Sequence, residues 1–202
     1  MDWETIRAAL DARAPMDVAE AVASRAAVAI VLREGTEGLE ALFIRRAEHP
    51  RDPWSGQFAF PGGRAEPQDA DLAATAVRET LEEIGLDLTT TADLLGRLDE
   101  VRAMARLRPM NLAITPYVFR LRVPATLTIS PEVTSLHWLS LPALLDPSAQ
   151  STTRYTHEQA TLDFPALEVD GVVIWGLTYR MFTGFVERLG AAEARARAEG
   201  HA

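Results

Sequence analysis

The sequence predicts an α/β fold, because strand-like apolar runs alternate with helix-like segments along the chain. Residues 26–32 and 39–44 are apolar runs separated by a glycine-containing segment, a pattern that predicts a β-hairpin. Residues 71–84 show helical periodicity and are followed by Gly85, which predicts a helix with a defined end. Residues 175–197 predict a final amphipathic helix. Together these segments indicate a sheet accompanied by helices.

The composition is that of a globular protein with a substantial core. The chain has 202 residues, of which 48% are hydrophobic and 24% are charged. We expect a single domain over residues 1–202, with a core at about 22–190, an N-terminal helix and a frayed C-terminal tail. The absence of cysteine excludes a disulfide framework, thiolate metal ligands and a cysteine nucleophile.

The net charge limits the classes of partner. It is −9 at pH 7, with a pI of about 5.0, so we expect neither nucleic acid nor a membrane as partner. A polyanionic small molecule is compatible with this charge, because a bound divalent cation reverses the local sign. The N-terminus lacks a signal-peptide pattern and no apolar run is long enough to span a membrane, so we expect a cytoplasmic protein.

The remaining elements are predicted from short apolar runs and from turn residues. In chain order we expect a helix at 3–12, a loop at 47–56, a strand at 57–60, a sharp turn at 61–63, a loop at 64–70, strands at 93–97, 112–123 and 133–139, a helical turn at 141–145, and short strands within 162–173.

Three glutamates dominate the helix predicted at 71–84. Glu79, Glu82 and Glu83 lie at positions i, i+3 and i+4, so they share one helix face. Like charges at this spacing repel one another, and a bound Mg²⁺ or Mn²⁺ would offset that repulsion. The alternative is a solvated acidic helix face with no ligand.

An apolar stripe is predicted roughly opposite the glutamates. Small residues, Thr75 and Ala76, are expected on the acidic face, where they leave room beside the carboxylates. The helix is therefore predicted to pack on one side and to carry a site on the other. The stripe consists of Ala70, Ala74, Val77, Leu81 and Ile84.

Two glycines precede this helix by one loop. Glycine allows positive φ and close approach of the backbone to a ligand, so Gly62 and Gly63 are candidates to present backbone groups to a metal or phosphate. Combined with the acidic helix, they predict one pocket that contains backbone oxygen and carboxylates.

Residues 63–86 resemble the Nudix box, written G-x5-E-x7-R-E-U-x-E-E-x-G-U with U apolar. Two departures are present: Asp69 stands where the first glutamate is expected and is separated from Arg78 by eight residues rather than seven, and Thr80 replaces an apolar residue. The resemblance implies an α/β/α sandwich with a mixed sheet, in which the acidic helix and the C-terminal helix lie on opposite sides. The matching residues are Gly63, Arg78, Glu79, Glu82, Glu83, Gly85 and Leu86.

The segment before the box is similar to the substrate motif of the coenzyme A pyrophosphatase-like Nudix subgroup, which also carries an aspartate and the longer spacing. Here Trp54 lies where that subgroup often has histidine, and four residues rather than three separate Arg51 from Gly56. Residues 174–178 are also similar to the C-terminal region of this subgroup. The resemblance implies substrate-binding roles for Arg45, Arg46, Arg51, Phe60 and Gly62. The alternatives are surface cations for the three arginines and a packing role for Phe60.

The resemblance also implies the site chemistry. Glu79 and Glu83 are expected as metal ligands, Glu82 as a further or water-mediated ligand, and the Gly63 carbonyl as a backbone ligand for Mg²⁺ or Mn²⁺. Arg78 is expected to orient a carboxylate through a bidentate pair, although a surface salt bridge is the alternative. Glu132 lies shortly before a late strand, where Nudix enzymes carry a general base or an extra ligand, and the alternative is an ordinary loop carboxylate.

The expected reaction is hydrolysis of a pyrophosphate bond in coenzyme A or acyl-coenzyme A, giving 3′,5′-ADP and (acyl-)4′-phosphopantetheine. The alternatives are hydrolysis of ADP-ribose, dinucleotides or oxidised nucleotides, and a non-catalytic Nudix domain that senses a nucleotide. Nudix proteins often dimerise, so a homodimer is considered beside a monomer. Trp175 is interpreted as a core residue, and the four histidines, His49, His137, His157 and His201, as structural or surface residues.

Overall fold

The computed structural model describes residues 2–19, 21–50, 52–105, 108–157 and 160–199. Five helices and eleven strands are assigned within these residues. The helices are α1 (Trp3–Asp11), α2 (Leu72–Ile84), α3 (Leu88–Thr91), α4 (Leu141–Leu145) and α5 (Gly176–Glu199). The strands are β1 (Ser24–Gly35), β2 (Gly38–Arg46), β3 (Phe58–Ala59), β4 (Gly62–Arg64), β5 (Ala92–Arg97), β6 (Val101–Ala105), β7 (Arg108–Leu121), β8 (Val133–Ser140), β9 (Gln150–His157), β10 (Ala160–Val169) and β11 (Val172–Trp175).

The main sheet has eight strands and is mixed. Its central order is β3-β2-β1-β7-β5, while β4, β6 and β8 pair with β1, β7 and β2. Strands β1 and β7 are parallel, and the other pairs are antiparallel. The predicted hairpin is the β1–β2 pair, with Gly35 opposite Gly38.

Strand β1 is buried on both faces and divides the core into two layers. Because successive side chains in a strand point to opposite faces, Val28 and Ile30 join the layer that contains α1 and α5. Ala29 and Val31 join the layer that contains α2. The α/β/α sandwich predicted from the resemblance is confirmed.

Helix α2 has the predicted ends but a different buried face. Asp71 caps its first turn by accepting from the amide of Ala74, and Gly85 ends it in the left-handed conformation at φ 68°. The predicted apolar stripe is wrong at Leu81, which is 47% exposed, and at Ala70, which is also exposed, whereas Ile84 is buried and Val77 packs against the core. The buried positions are Thr75, Ala76, Thr80, Glu83 and Ile84.

Thr80 replaces the expected apolar residue without leaving a buried polar group unsatisfied. Its side chain is fully buried, and its hydroxyl donates to the carbonyl of Ala76 at 2.7 Å. The departure from the Nudix pattern is therefore accommodated inside the helix.

Three other expectations need correction. Residues 61–63 were expected to form only a turn, but Gly62–Arg64 is strand β4, which pairs with residues 26–28 of β1. Strands β6 and β9 were not predicted. Strand β9 belongs to a second sheet of order β11-β10-β9, which lies outside the main sheet.

A buried arginine joins the first and last helices. Arg188 in α5 is 5% exposed and donates to the carbonyls of Leu10 and Arg13 at 3.1 and 3.0 Å. It also donates to Asp99 at 2.8 Å, and Arg13 forms a further ion pair with the same carboxylate. These contacts hold α1 against the sheet and against α5.

Among the described residues, no helix is long and apolar enough to cross a membrane.

Candidate active site

A cavity of about 720 Å³ opens between strand β4, helix α2 and the end of strand β2. We call it the acidic cavity, because Glu79, Glu83 and Glu132 line it. Arg46 and the two glycines of β4, Gly62 and Gly63, line it as well. Residues that are far apart in sequence therefore meet here, and most of the residues expected from the Nudix resemblance are among them.

Glu83 is the most deeply buried acid of the acidic cavity. Its side chain is 4% exposed, and one carboxylate oxygen accepts from the amide of Gly62 at 2.9 Å. Arg46 Nη1 lies 3.7 Å from the other oxygen. Burial raises the pKa of Glu83 to about 7, against the opposing effects of the Gly62 hydrogen bond and the Arg46 charge.

Glu79 lies directly against Gly63. A Cβ atom at position 63 would overlap the Glu79 carboxylate, so only glycine leaves space for this side chain. Burial raises the pKa of Glu79, while the hydrogen bond from Arg78 opposes that shift. The close approach of Gly63 is therefore to a carboxylate of α2.

Arg78 makes a bidentate pair with Asp69. Its Nε and Nη2 donate to the two oxygens of Asp69 at 2.9 and 3.0 Å, while Nη1 donates to Glu79 at 2.9 Å. The Thr75 hydroxyl also donates to Asp69 at 2.8 Å. The Arg78 hydrogen bonds hold the pKa of Asp69 well below its usual range. The guanidinium of Arg78 is thus held mainly by Asp69 and also contacts Glu79.

Glu82 differs from the other two glutamates of α2. Its side chain is 58% exposed, does not line the acidic cavity, and accepts from Arg78 at 3.2 Å. The expectation that all three carboxylates converge on one cavity is therefore wrong for Glu82, because the helix turns this position toward solvent.

The residues fit a divalent cation in donor chemistry. The carboxylates of Glu79, Glu83 and Glu132 are hard oxygen donors around one cavity. After burial, the charge of Glu132 contributes to raising the pKa of both Glu79 and Glu83, and the charge of Glu79 contributes to raising the pKa of Glu83. A cation would offset this repulsion. As the side chains stand, the described part of the chain contains no group of three or more His, Cys, Asp or Glu side chains arranged to hold a metal ion.

Glu132 is exposed at the rim of the acidic cavity, and its backbone is held on two sides. Its carbonyl accepts from the amide of Ala47, just after β2, at 2.8 Å. The segment before it is bonded to the end of α2, because the amides of Thr128 and Ser130 donate to the carbonyls of Ile84 and Glu83 at 2.9 and 2.8 Å. Glu132 therefore has a fixed place opposite the helix glutamates.

The two adjacent arginines of β2 point to opposite faces. Arg46 lines the acidic cavity and forms an ion pair with Asp52 at 2.8 Å. Arg45 is exposed outside the cavity, with its guanidinium 5.8 Å from the ring centroid of Phe58, so the structure does not bring it together with Arg46 in the cavity. Arg51 lies outside the described residues. The role of Asp52 was not predicted, because no motif marks this residue beyond its position six residues after Arg46.

Phe60 was expected to bind substrate, but the structure places it in the core. It is 1% exposed and stacks on Phe43 with ring centroids 4.8 Å apart, so no ring face is free for a base. The amide of Gly62 was expected to reach a ligand, but it donates to Glu83. Gly62 has φ 152°, and a Cβ there would overlap the backbone of β1.

The aromatic residues Trp54 and Trp175 lie beside the acidic cavity. Trp54 lines it, and its indole nitrogen donates to the carbonyl of Met104 at 3.1 Å. Trp175 was expected in the core, but it is only partly buried and lines a neighbouring cavity. His137 is partly buried and bonded to Ser135 at 2.8 Å, in agreement with a structural role.

A sandwich that holds an acidic helix against a glycine-containing strand, with a late loop acid opposite, defines the class of site found in Nudix proteins. The chain matches the model of the NUDIX domain over residues 23–159 and belongs to the Nudix family.

Curated relatives agree with this membership. The chain is 34% identical over 131 residues to the peroxisomal coenzyme A diphosphatase ndx-8 of Caenorhabditis elegans, covering 63% of this chain and 53% of that protein. It is 31% identical over 144 residues to the uncharacterized Nudix hydrolase NudL of Yersinia pestis, covering 68% and 66%. The chain thus spans roughly half to two thirds of the length of these relatives.

The fold is shared with a crystal structure of a MutT/nudix family protein from Enterococcus faecalis. The match has a TM-score of 0.54 and 16% identity, and it covers 95% of this chain and 70% of that one. At this identity the likeness concerns the fold alone.

Proposed function

We propose that this protein is a divalent-metal-dependent hydrolase that cleaves the pyrophosphate bond of a nucleoside diphosphate derivative. The observation that carries the proposal is the meeting of Glu79, Glu83 and Glu132 with Arg46 in one cavity. Carboxylates of this kind suit a cation that neutralises phosphate charge, and the arginine suits the phosphate itself. Membership of the Nudix family supports the same reaction class.

The residues divide into ligands and positioning groups. Glu79 and Glu83 would hold Mg²⁺ or Mn²⁺ together with the Gly63 carbonyl, and the ion would neutralise charge on the phosphates and lower the pKa of bound water. Arg78 acts through Glu79, because its Nη1 donates to that carboxylate while Asp69 fixes the rest of the guanidinium. Glu82, which is mostly exposed, has at most a water-mediated part in this proposal.

Glu132 is our candidate for the general base. It faces Glu79 and Glu83 across the acidic cavity and is the acid most open to solvent, so it can exchange a proton with water. Arg46 would bind a substrate phosphate, since its guanidinium lines the cavity and is held by Asp52. Arg45 and Arg51 stay predictions as substrate residues, and Arg45 would have to act from outside the cavity.

The favoured substrate is coenzyme A or an acyl-coenzyme A, which would give 3′,5′-ADP and (acyl-)4′-phosphopantetheine. The support is the motif upstream of the Nudix box and the 34% identity to a coenzyme A diphosphatase.

We also propose a single domain with its core at about 22–190. A cytoplasmic location and a homodimer stay predictions.

The test is hydrolysis of coenzyme A, ADP-ribose, NADH and 8-oxo-dGTP, each with Mg²⁺, with Mn²⁺ and with a chelator. Wild-type protein should hydrolyse coenzyme A most efficiently, and Glu83→Gln and Glu79→Gln should reduce kcat by roughly 100-fold or more. Glu37→Gln is the matched control, because Glu37 is exposed in the β1–β2 turn and should leave the rate unchanged.

Each outcome distinguishes the alternatives. A preference for ADP-ribose would replace coenzyme A as substrate while keeping the reaction class. Tight binding of a nucleotide without turnover of any substrate would favour the sensor and overturn the enzymatic proposal.

A further inference from the structure

A second cavity of about 190 Å³ adjoins the acidic cavity. The two cavities have wall residues in common, among them Trp54, Ala105 and Leu177. One water-sized group needs only about 10–15 Å³, so the second cavity has room for several such groups in a row. A molecule whose phosphates lie in the acidic cavity can therefore extend into it without leaving the protein surface.

Aromatic side chains from separate parts of the chain build this second cavity. We call it the aromatic pocket and define it by Trp54, Tyr155, Phe164, Trp175 and Tyr179. Trp54 comes from the loop before β3, two residues come from the outer sheet strands β9 and β10, and two come from the end of β11 and the start of α5. All five side chains are only partly buried, so apolar ring surface faces the open space.

The rings contact one another at an angle. Tyr155 and Trp175 have centroids 5.2 Å apart with planes at 41°, and Phe164 and Trp175 have centroids 5.8 Å apart at 49°. A nucleobase is favoured by a flat ring face on either side and by polar partners for its edge. These tilted rings form an irregular apolar lining instead, which suits a flexible chain of methylene groups.

We propose that the aromatic pocket binds an apolar arm of the substrate, an unbranched acyl or alkyl chain attached to the non-nucleotide side of the pyrophosphate. This inference rests on the proposed function for the position of the phosphates in the acidic cavity. The pocket then sets substrate preference, because a long apolar chain gains burial there that a short chain cannot reach.

The direct test is equilibrium binding of S-octanoyl-4′-phosphopantetheine and S-acetyl-4′-phosphopantetheine, followed by calorimetry. These ligands differ only by six methylene groups and require no hydrolysis. Each fully buried methylene contributes about a fourfold increase in affinity, so partial burial of the chain should make the octanoyl ligand bind roughly tenfold tighter or more. Equal affinities in the wild-type protein would overturn the proposal.

Two variants test whether the aromatic pocket causes the preference for the octanoyl ligand. Phe164→Ala removes a ring of the pocket, and Met104→Asp places a charge on its 41% exposed rim, where a substitution has little effect on folding. Both should reduce the octanoyl preference at least threefold. Leu162→Ala is the matched control, since Leu162 lies on the same strand as Phe164, is 49% exposed, and does not line the pocket. Preference lost equally in the control would overturn the assignment.

The same protein preparations are then assayed with octanoyl-coenzyme A and acetyl-coenzyme A. If the protein binds the octanoyl ligand more tightly but does not hydrolyse the pyrophosphate bond of either coenzyme A thioester, the aromatic pocket binds an acyl chain and the coenzyme A hydrolase proposal is rejected. If both thioesters are hydrolysed with equal kcat/KM and the two ligands bind equally well, the proposed reaction is supported and the acyl-binding role of the aromatic pocket is rejected.

Discussion

Arg78 and Asp69 face each other edge to edge, with two parallel hydrogen bonds of 2.9 and 3.0 Å between the guanidinium and the carboxylate. Their side chains are only 18% and 6% exposed. Because the pair fixes the plane of the guanidinium, the remaining nitrogen of Arg78 is directed at the glutamates of α2, and it donates to Glu79 at 2.9 Å and to Glu82 at 3.2 Å. Asp69, which departs from the Nudix pattern, therefore orients the proposed metal ligand Glu79 through Arg78.

Replacing Arg78 by lysine tests whether the positive charge of Arg78 or its bidentate pair with Asp69 matters for activity. Lysine keeps the positive charge but cannot form the bidentate pair, so Glu79 loses its fixed orientation. We expect Arg78→Lys to lower kcat/KM and the apparent affinity for the activating metal by roughly 10- to 100-fold. Arg154→Lys is the control, because Arg154 forms an exposed pair with Asp163 on the outer sheet. Unchanged metal affinity in Arg78→Lys would exclude the positioning role.

Gly63→Ala should impair activity more than folding. The added methyl group would overlap the end of the Glu79 side chain, which can rotate away, so the fold survives while the carboxylate is displaced. A displacement near 1 Å is expected to lower kcat by about 100-fold. The rate and the thermal midpoint are measured on the same sample.

Gly184→Ala is the matched substitution, since Gly184 lies in α5 and a Cβ there meets nothing within 4 Å. It should leave the rate unchanged and stabilise the protein by about 0.5–1 kcal/mol. If both alanine variants keep full activity, the close contact between Gly63 and Glu79 has no catalytic consequence.

The stability of the metal-free protein should depend on the ionisation of Glu83. Its pKa rises from 4.5 to about 7 on folding, so the unfolded state loses this proton at lower pH than the folded state. The contribution of the protonated group is complete below pH 4.5 and is lost as the pH rises through about 7. Glu83→Gln, which cannot ionise, should therefore gain stability relative to wild type by on the order of 3 kcal/mol between pH 5 and pH 8.

Urea unfolding with a chelator present measures this difference. Glu37→Gln is the control: Glu37 is exposed and Glu83 is intact in this variant, so its stability should follow that of wild type across the range. Added Mg²⁺ or Mn²⁺ should stabilise wild type more than Glu83→Gln at pH 8. A constant stability difference across this pH range would contradict the proposed ionisation.

Arg188→Met should destabilise the fold without changing the chemistry. The substitution removes a buried cation and leaves the carbonyls of Leu10 and Arg13 without this donor. Breaking a buried pair in this way lowers the free energy of unfolding by about 3 kcal/mol. Arg154→Met, which removes an exposed pair, should cost less than about 1 kcal/mol. Chemical denaturation measures both, and an equal loss in the two variants would contradict the role of Arg188.

Part of the acidic cavity could be predicted from the sequence, because its helix residues follow the regular period of an α-helix. The i, i+4 spacing of Glu79 and Glu83 places both on one side of α2, and the structure confirms that they meet. The same reasoning fails for Glu82, because i+3 lies far enough around the helix to face solvent at 58% exposure. The alternation of side chains in a strand separates Arg45 from Arg46, so only one of the two adjacent arginines can line the acidic cavity.

The aromatic pocket could not be predicted from local patterns. Strand β9 alternates between exposed and partly buried residues and contains no apolar run, so it resembles a polar loop. Its Tyr155 contacts Trp175 only because β9 and β11 flank β10 in the outer sheet. A cavity that depends on such long-range pairing appears only in three dimensions.

Residues 128–132, which bond to the end of α2 and to the residue after β2, limit how the acidic cavity can change. The amides of Thr128 and Ser130 and the carbonyl of Glu132 hold their partners through backbone groups alone. The separation between Glu83 and position 132 is therefore independent of which side chains occupy the segment. Side chains at 128–131 can therefore change without breaking these bonds, provided that positions 128 and 130 keep their amides, whereas adding or removing one residue would shift Glu132 relative to Glu79 and Glu83.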